Sequence, residues 1–227
     1  VTIQADATST VDTKTAGGGI GVLGAALGGG NVNIDSGAVN AGGSGIIGFS
    51  LGGDVNVANY GKVDADGLVG VGGLSIGGTS NVNVNADIDP PLIGAASVTF
   101  GPGNANLNVA DDVSVDADLI GLLGANAWGG AVNVAVGNGA TVNASNTPGG
   151  FGIGIAALDF GAGGINVDVG GDQNNPATVL GDTFGIASLA IGSGNTDIDV
   201  GANSGVISNS GGFGIGAGSF GSGNIDI

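Results

Sequence analysis

Apolar and polar positions alternate along this chain in a recurring triplet. The copies read Val32-Asn33-Ile34, Val55-Asn56-Val57, Val82-Asn83-Val84, Ala105-Asn106-Leu107, Val132-Asn133-Val134, Ile165-Asn166-Val167, Thr196-Asp197-Ile198 and Ile225-Asp226-Ile227. Period-two alternation marks a strand whose two faces meet different surroundings. One face is apolar in nearly every copy, and the other carries Asn or Asp. The central residues lie 23, 27, 23, 27, 33, 31 and 29 positions apart.

A second marker accompanies the first. Leu27, Leu51, Ile76, Phe100, Trp128, Phe160, Ile191 and Phe220 are each followed directly by glycine. With 53 Gly in 227 residues, an unbroken run of eight such pairs is not a product of composition. Each repeat also holds two further strand-like pieces. One resembles Ile186-Ala-Ser-Leu-Ala-Ile191, and the other is shorter, as in Val113–Ala117 or Ala140–Ala144.

Three short strands in 23–33 residues make one coil of a parallel β-helix. A single coil cannot bury its apolar face, whereas stacked coils bury a continuous core. The pattern therefore predicts an all-β fold, a β-solenoid of about eight coils with residues 1–227 as one array. Right-handed winding is expected from the usual sense of parallel crossovers. Coils about 4.8 Å apart turn equivalent residues into ladders. The bulky residues before glycine are expected to form one interior ladder, with Phe100, Trp128 and Phe160 as core rather than ligand platforms. Asn33, Asn56, Asn83, Asn106, Asn133 and Asn166 are expected to form an amide ladder, as stacked Asn does in cross-β structures. No six-residue period, calcium-binding nonapeptide, propeller-length blade or heptad supports a competing fold.

Composition narrows the function. All 19 acidic residues are Asp, Lys14 and Lys62 are the only basic ones, and Glu, Arg, His and Cys are absent. Gly, Asn and Asp favour turns over helices, while 42% hydrophobic residues exclude simple disorder. A net charge of −17 excludes binding to a phosphate backbone. Lack of cysteine removes disulfides, thiolate zinc sites and a thiol nucleophile. No apolar run reaches the roughly 18 residues of a membrane span. Val1-Thr2-Ile3 and Ile225-Asp226-Ile227 fit the same strand slot without polar caps, so the array is expected to continue into further repeats or to stack end to end.

The coils Gly150-Phe-Gly-Ile-Gly-Ile-Ala through Gly164-Ile-Asn-Val-Asp-Val-Gly, and Gly212-Phe-Gly-Ile-Gly-Ala-Gly through Asn224-Ile-Asp-Ile, carry a resemblance that extends over the whole chain. They resemble the Gly/Asn/Val-rich repeats of bacterial autotransporter passenger domains and giant β-helical adhesins. The resemblance implies export to the bacterial cell surface and an elongated stalk or filament. It also implies a role in adhesion, cell–cell contact or biofilm matrix, with a host cell, neighbouring cell or polysaccharide as partner. It transfers no active-site motif.

Catalysis is not expected. β-Helical polysaccharide lyases combine Asp with Arg, Lys or His, and two of those three types are missing. Paired Asp alone could serve glycoside chemistry, but long cleft-forming loops and aromatic sugar platforms are not legible. No cofactor is required; calcium is the one candidate. Asp64, Asp89 and Asp116 occupy equivalent third-strand positions, with Asp66 and Asp118 two residues on. Carboxylates about 5 Å apart repel by about 0.8 kcal/mol per pair even at a water-like dielectric, and calcium would relieve that. The alternative is a solvated acidic edge with sodium nearby. Asp168, Asp197, Asp199 and Asp226 form a second, weaker cluster. The Asn array could instead meet a sugar, a mineral or ice, and the polar insertion Gly170–Pro176 is either a recognition loop or an ordinary one.

Overall fold

A computed structural model describes residues 1–14, 18–89, 92–145 and 150–227. Its strands sort into three parallel sheets. Sheet I has nine strands, from Thr2–Gln4 at one edge to Ile225–Asp226 at the other. Sheet II has eight, from Thr10–Asp12 to Gly205–Ser208, and sheet III has eight, from Val22–Ala26 to Phe213–Ser219. Each coil visits the sheets in that order, as in Ala105–Val109, Ser114–Asp116 and Ile120–Asn126. The chain is a β-solenoid of about eight coils with three strands each, as the repeat predicts. The terminal segments take the expected slot: Thr2 pairs with Asn33, and Asp226 with Asp197.

One register differs from the sequence reading. Asn81, not Asn83, stands beside Asn56 and Asn106. The spacings up to Asn133 are then 23, 25, 25 and 27, a smoother progression than the triplet suggested. Ser80-Asn81-Val82 was obscured because its first inward residue is serine. The neighbouring Val82-Asn83-Val84 mimics the motif one strand step further on.

The core is built of columns. Sheet II turns inward Val39, Val63, Ile88, Val115, Val142 and Val179, one per coil and all nearly inaccessible. Sheet I adds Ile34, Val57, Val82, Leu107, Val134, Val167 and Ile198. β-Branched side chains suit such columns because they pack well on a pleated surface and are stiff at χ1. Each fully buried Val or Ile contributes about 1.5–3 kcal/mol relative to exposure.

Sheets I and III converge so closely that the facing column of sheet III must be small. It reads Gly24, Gly48, Gly73, Ser97, Gly124, Ala157 and Ser188. A Cβ on Gly48 would lie 2.7 Å from Val55 Cγ1 and 2.8 Å from Val57 Cγ2. At Ser97 the neighbour shrinks too: Ser97 Oγ donates to Ser80 O at 2.9 Å, opposite a serine rather than a valine. Bulk on one sheet is matched by its absence on the other.

Gly48→Val should therefore overpack the interior and cost about 1–3 kcal/mol. Gly28→Ala, where a Cβ meets nothing within 4 Å, should shift stability by less than about 0.5 kcal/mol. Urea unfolding midpoints compare the two directly, and equal midpoints would contradict the close approach of sheets I and III.

Candidate interaction surfaces

The eight bulky residues that precede glycine stand outside the solenoid, contrary to the expected interior ladder. Their exposure runs from 37% at Ile76 to 75% at Trp128. Strand parity is the physical reason. In Val69–Ser75 the inward residues are Val71, Gly73 and Ser75, so Ile76 turns out again. Phe100 and Phe160 follow the same parity, while Trp128 lies one residue further on, after Ala127, in the turn; all three are surface residues and not core.

The interior of that corner belongs to the last inward residue of the strand, which is polar in most coils and directly precedes the bulky residue except at Trp128, where Ala127 intervenes. Ser50, Ser75, Thr99, Asn126 and Asp159 are in register and fully buried. Four of these side chains accept from amides of the turn, which no sheet can reach, while Thr99 Oγ1 donates to Gly103 O at 3.2 Å. Ser75 Oγ accepts from Gly78 N at 3.0 Å and donates to Gly53 O of the previous turn at 2.8 Å. Asn126 Oδ1 accepts from Trp128 N and Gly129 N at 2.9 and 3.0 Å, and its Nδ2 donates to Gly103 O at 2.7 Å. Asp159 accepts from Gly161 N at 3.0 Å and Gly164 N at 2.8 Å. The signal in the sequence is a polar residue directly before five of the eight bulky–glycine pairs, Ser50, Ser75, Thr99, Asp159 and Ser219.

With the corner assigned, the outer face of sheet III is apolar across its width. Ile93, Ala96, Val98 and Phe100 point outward in one coil; Ile153, Ala156, Leu158 and Phe160 do so in another. Phe184 and Phe213 stack on this face with ring centroids 5.6 Å apart and planes 17° from parallel. A shallow hollow of about 230 Å³ lies over Gly72, walled by Ile47, Val69, Leu74, Ala96 and Val98.

Sheet I presents the opposite chemistry. Asn56 donates to Asn33, Asn81 to Asn56, Asn106 to Asn81 and Asn133 to Asn106, at 2.7–2.8 Å. This is the expected amide ladder, carried by Asn81 in place of Asn83. Asn83 belongs to a second column, where it accepts from Asn108 at 3.1 Å. Asn166 continues the first column in register and is followed by Asp197 and Asp226. Asp168 pairs with Asp199 one column over. The second acidic cluster thus lies on two neighbouring columns at one end of sheet I.

The first Asp column is aligned on sheet II. Asp64 pairs with Asp89, and Asp116 follows Val115, the partner of Ile88. Lys14 Nζ lies 2.7 Å from Asp64 Oδ1 and 2.9 Å from Asp66 Oδ1. Lys62 Nζ is 3.9 Å from Asp89 Oδ2, and Asn143 Nδ2 donates to Asp116 Oδ1 at 3.0 Å. Both lysines of the chain therefore sit against this column. The bonds to Asp64 and then Asp66 raise the Lys14 pKa above its ordinary 10.5, so the ammonium stays charged throughout the neutral range. A calcium ion at Asp64 and Asp66 would have to displace that ammonium. Asp118 lies beyond the column and has its own polar contact. Among the described residues no three acidic side chains converge closely enough to hold a metal ion.

The polar insertion is an ordered loop. Asp172 Oδ1 accepts from Asn174 N and Asn175 N at 2.7 and 2.8 Å, and Asn175 Nδ2 donates to Asp112 Oδ1 at 3.0 Å. These bonds fold the loop back onto earlier coils. Among the described residues no helix is long and apolar enough to cross a membrane. No protein family, curated protein or solved structure matches the chain.

Removing the Asp159 carboxylate would leave two turn amides without partners. Asp159→Ala should therefore cost about 2–4 kcal/mol, and Asp159→Asn distinctly less. Equal urea midpoints for the parent and Asp159→Ala would refute the capping role.

Proposed function

We propose that this chain is a rod-forming segment of an extracellular bacterial surface protein, with a structural and adhesive role. The observation that carries the reading is the unbroken register of three parallel sheets. Eight coils at about 4.8 Å form a rod roughly 38 Å long, and its outer chemistry repeats coil by coil. Amide ladders, capped corners and a lysine-clamped Asp column all stiffen the same axis. The resemblance of the repeats to autotransporter passengers and β-helical adhesins supports the extracellular part of this reading. A regular array of side chains on a rigid rod suits weak, many-point contact with another surface, where linked contacts raise avidity.

An antibody against the segment should label intact source cells, and cells displaying the segment should clump or attach more than cells lacking it. Labelling only after lysis would overturn the extracellular placement. Unchanged attachment would overturn the adhesive role.

A further inference from the structure

We propose that the outer face of sheet III is a self-docking surface, on which a second copy of the chain lies face to face. The inference goes beyond the rod reading and does not depend on where the rod is displayed.

Chemistry comes first. Every outward position on the strands of sheet III, and on the bulky corner that borders them, is apolar or glycine. Isolated exposed apolar residues are ordinary, but a contiguous apolar patch above a few hundred Å² marks an interaction site. Strands of up to seven residues span about 23 Å at ~3.3 Å per residue. Eight of them at about 4.8 Å give a face of roughly 800–900 Å². A standard stable interface covers about 800 Å² per partner. The face is therefore large enough for a complete dimer interface.

Charge selects the occupant. The chain carries −17, and its aligned Asp residues lie on sheets I and II. Approach of two copies through either of those sheets sets like charges against each other. Approach through sheet III keeps the acidic faces on the outside of the pair, in water. The relief of the face is also self-complementary. It offers the hollow over Gly72, walled by Leu74 and Val98, and it offers knobs such as Phe160 and Trp128. A two-fold pair presents the same patch from both sides, so hollow and knob must coexist on one surface. Two packed sheets with interleaved side chains have the geometry of a β-sandwich.

Analytical ultracentrifugation of the whole chain over the micromolar range tests this. A dimer is expected that persists at high salt, because the contact is apolar. The double variant Leu74→Lys/Leu158→Lys should weaken dimerisation by about 100-fold while keeping the parent's β-sheet circular dichroism. Asn108→Lys on sheet I should leave the dimer intact. As a check that does not introduce charge, Ala125→Cys near the middle of the face should form a disulfide-linked dimer on mild oxidation, and Asn108→Cys should not. The parent lacks cysteine, so the background is clean. A parent that stays monomeric throughout would overturn the proposal. So would a dimer broken by Asn108→Lys but not by the double variant. A monomer that instead binds neutral phosphatidylcholine vesicles through the same residues would reassign the face to lipid.

Discussion

In-register parallel pairing between successive coils is the constraint on which the rest of this structure depends. Each strand bonds to its own counterpart one coil away, so a residue's nearest neighbours along the axis are its equivalents. Any side chain is thereby judged against copies of itself. Valine and isoleucine succeed because they stack in columns without gaps, and asparagine succeeds because an amide can donate to the next amide and accept from the last. Aspartate suits a column less well, since stacked carboxylates repel. The two lysines of the chain stand where that repulsion would otherwise accumulate, with Lys14 between Asp64 and Asp66 and Lys62 beside Asp89.

The corners follow from the same constraint. Backbone amides that leave the sheets at a turn lose their ladder partners, and burial without a partner costs free energy. Ser50, Ser75, Asn126 and Asp159 supply the missing acceptors from inside the solenoid. This fills the interior of the corner and leaves the following bulky residue outside. Sheet III thus carries apolar side chains on both faces, one inside the core and one facing solvent, while sheets I and II direct their polar residues outward.

Much of this was legible in the sequence. Repeat length, the three-strand coil, the amide ladder and the alignment of Asp64, Asp89 and Asp116 all followed from period-two alternation and spacing. Two features were misread, for different physical reasons. Asn83 displaced Asn81 because the true triplet opens with an inward serine, which looks polar on an apolar face. The Leu27-to-Phe220 stripe was assigned to the core because bulky apolar residues usually lie inside, and that rule is one-way. Counting strand parity from Ile186 would have placed Ile191 on the opposite face. The lysine clamp was beyond reach from spacing alone, since Lys14 and Asp64 are 50 residues apart and meet only through the coil register.

The central claim is that residues far apart in sequence stand in one straight, evenly spaced column. Spin labels on Asn33→Cys and Asp226→Cys test it most directly, by pulsed dipolar spectroscopy on the folded chain. The two sites are seven coil steps apart in register. At about 4.8 Å per step the account predicts a narrow distance distribution centred near 34 Å, widened only by the label arms. A broad distribution, or a sharp one displaced by more than about two coil steps, would contradict the stacked solenoid.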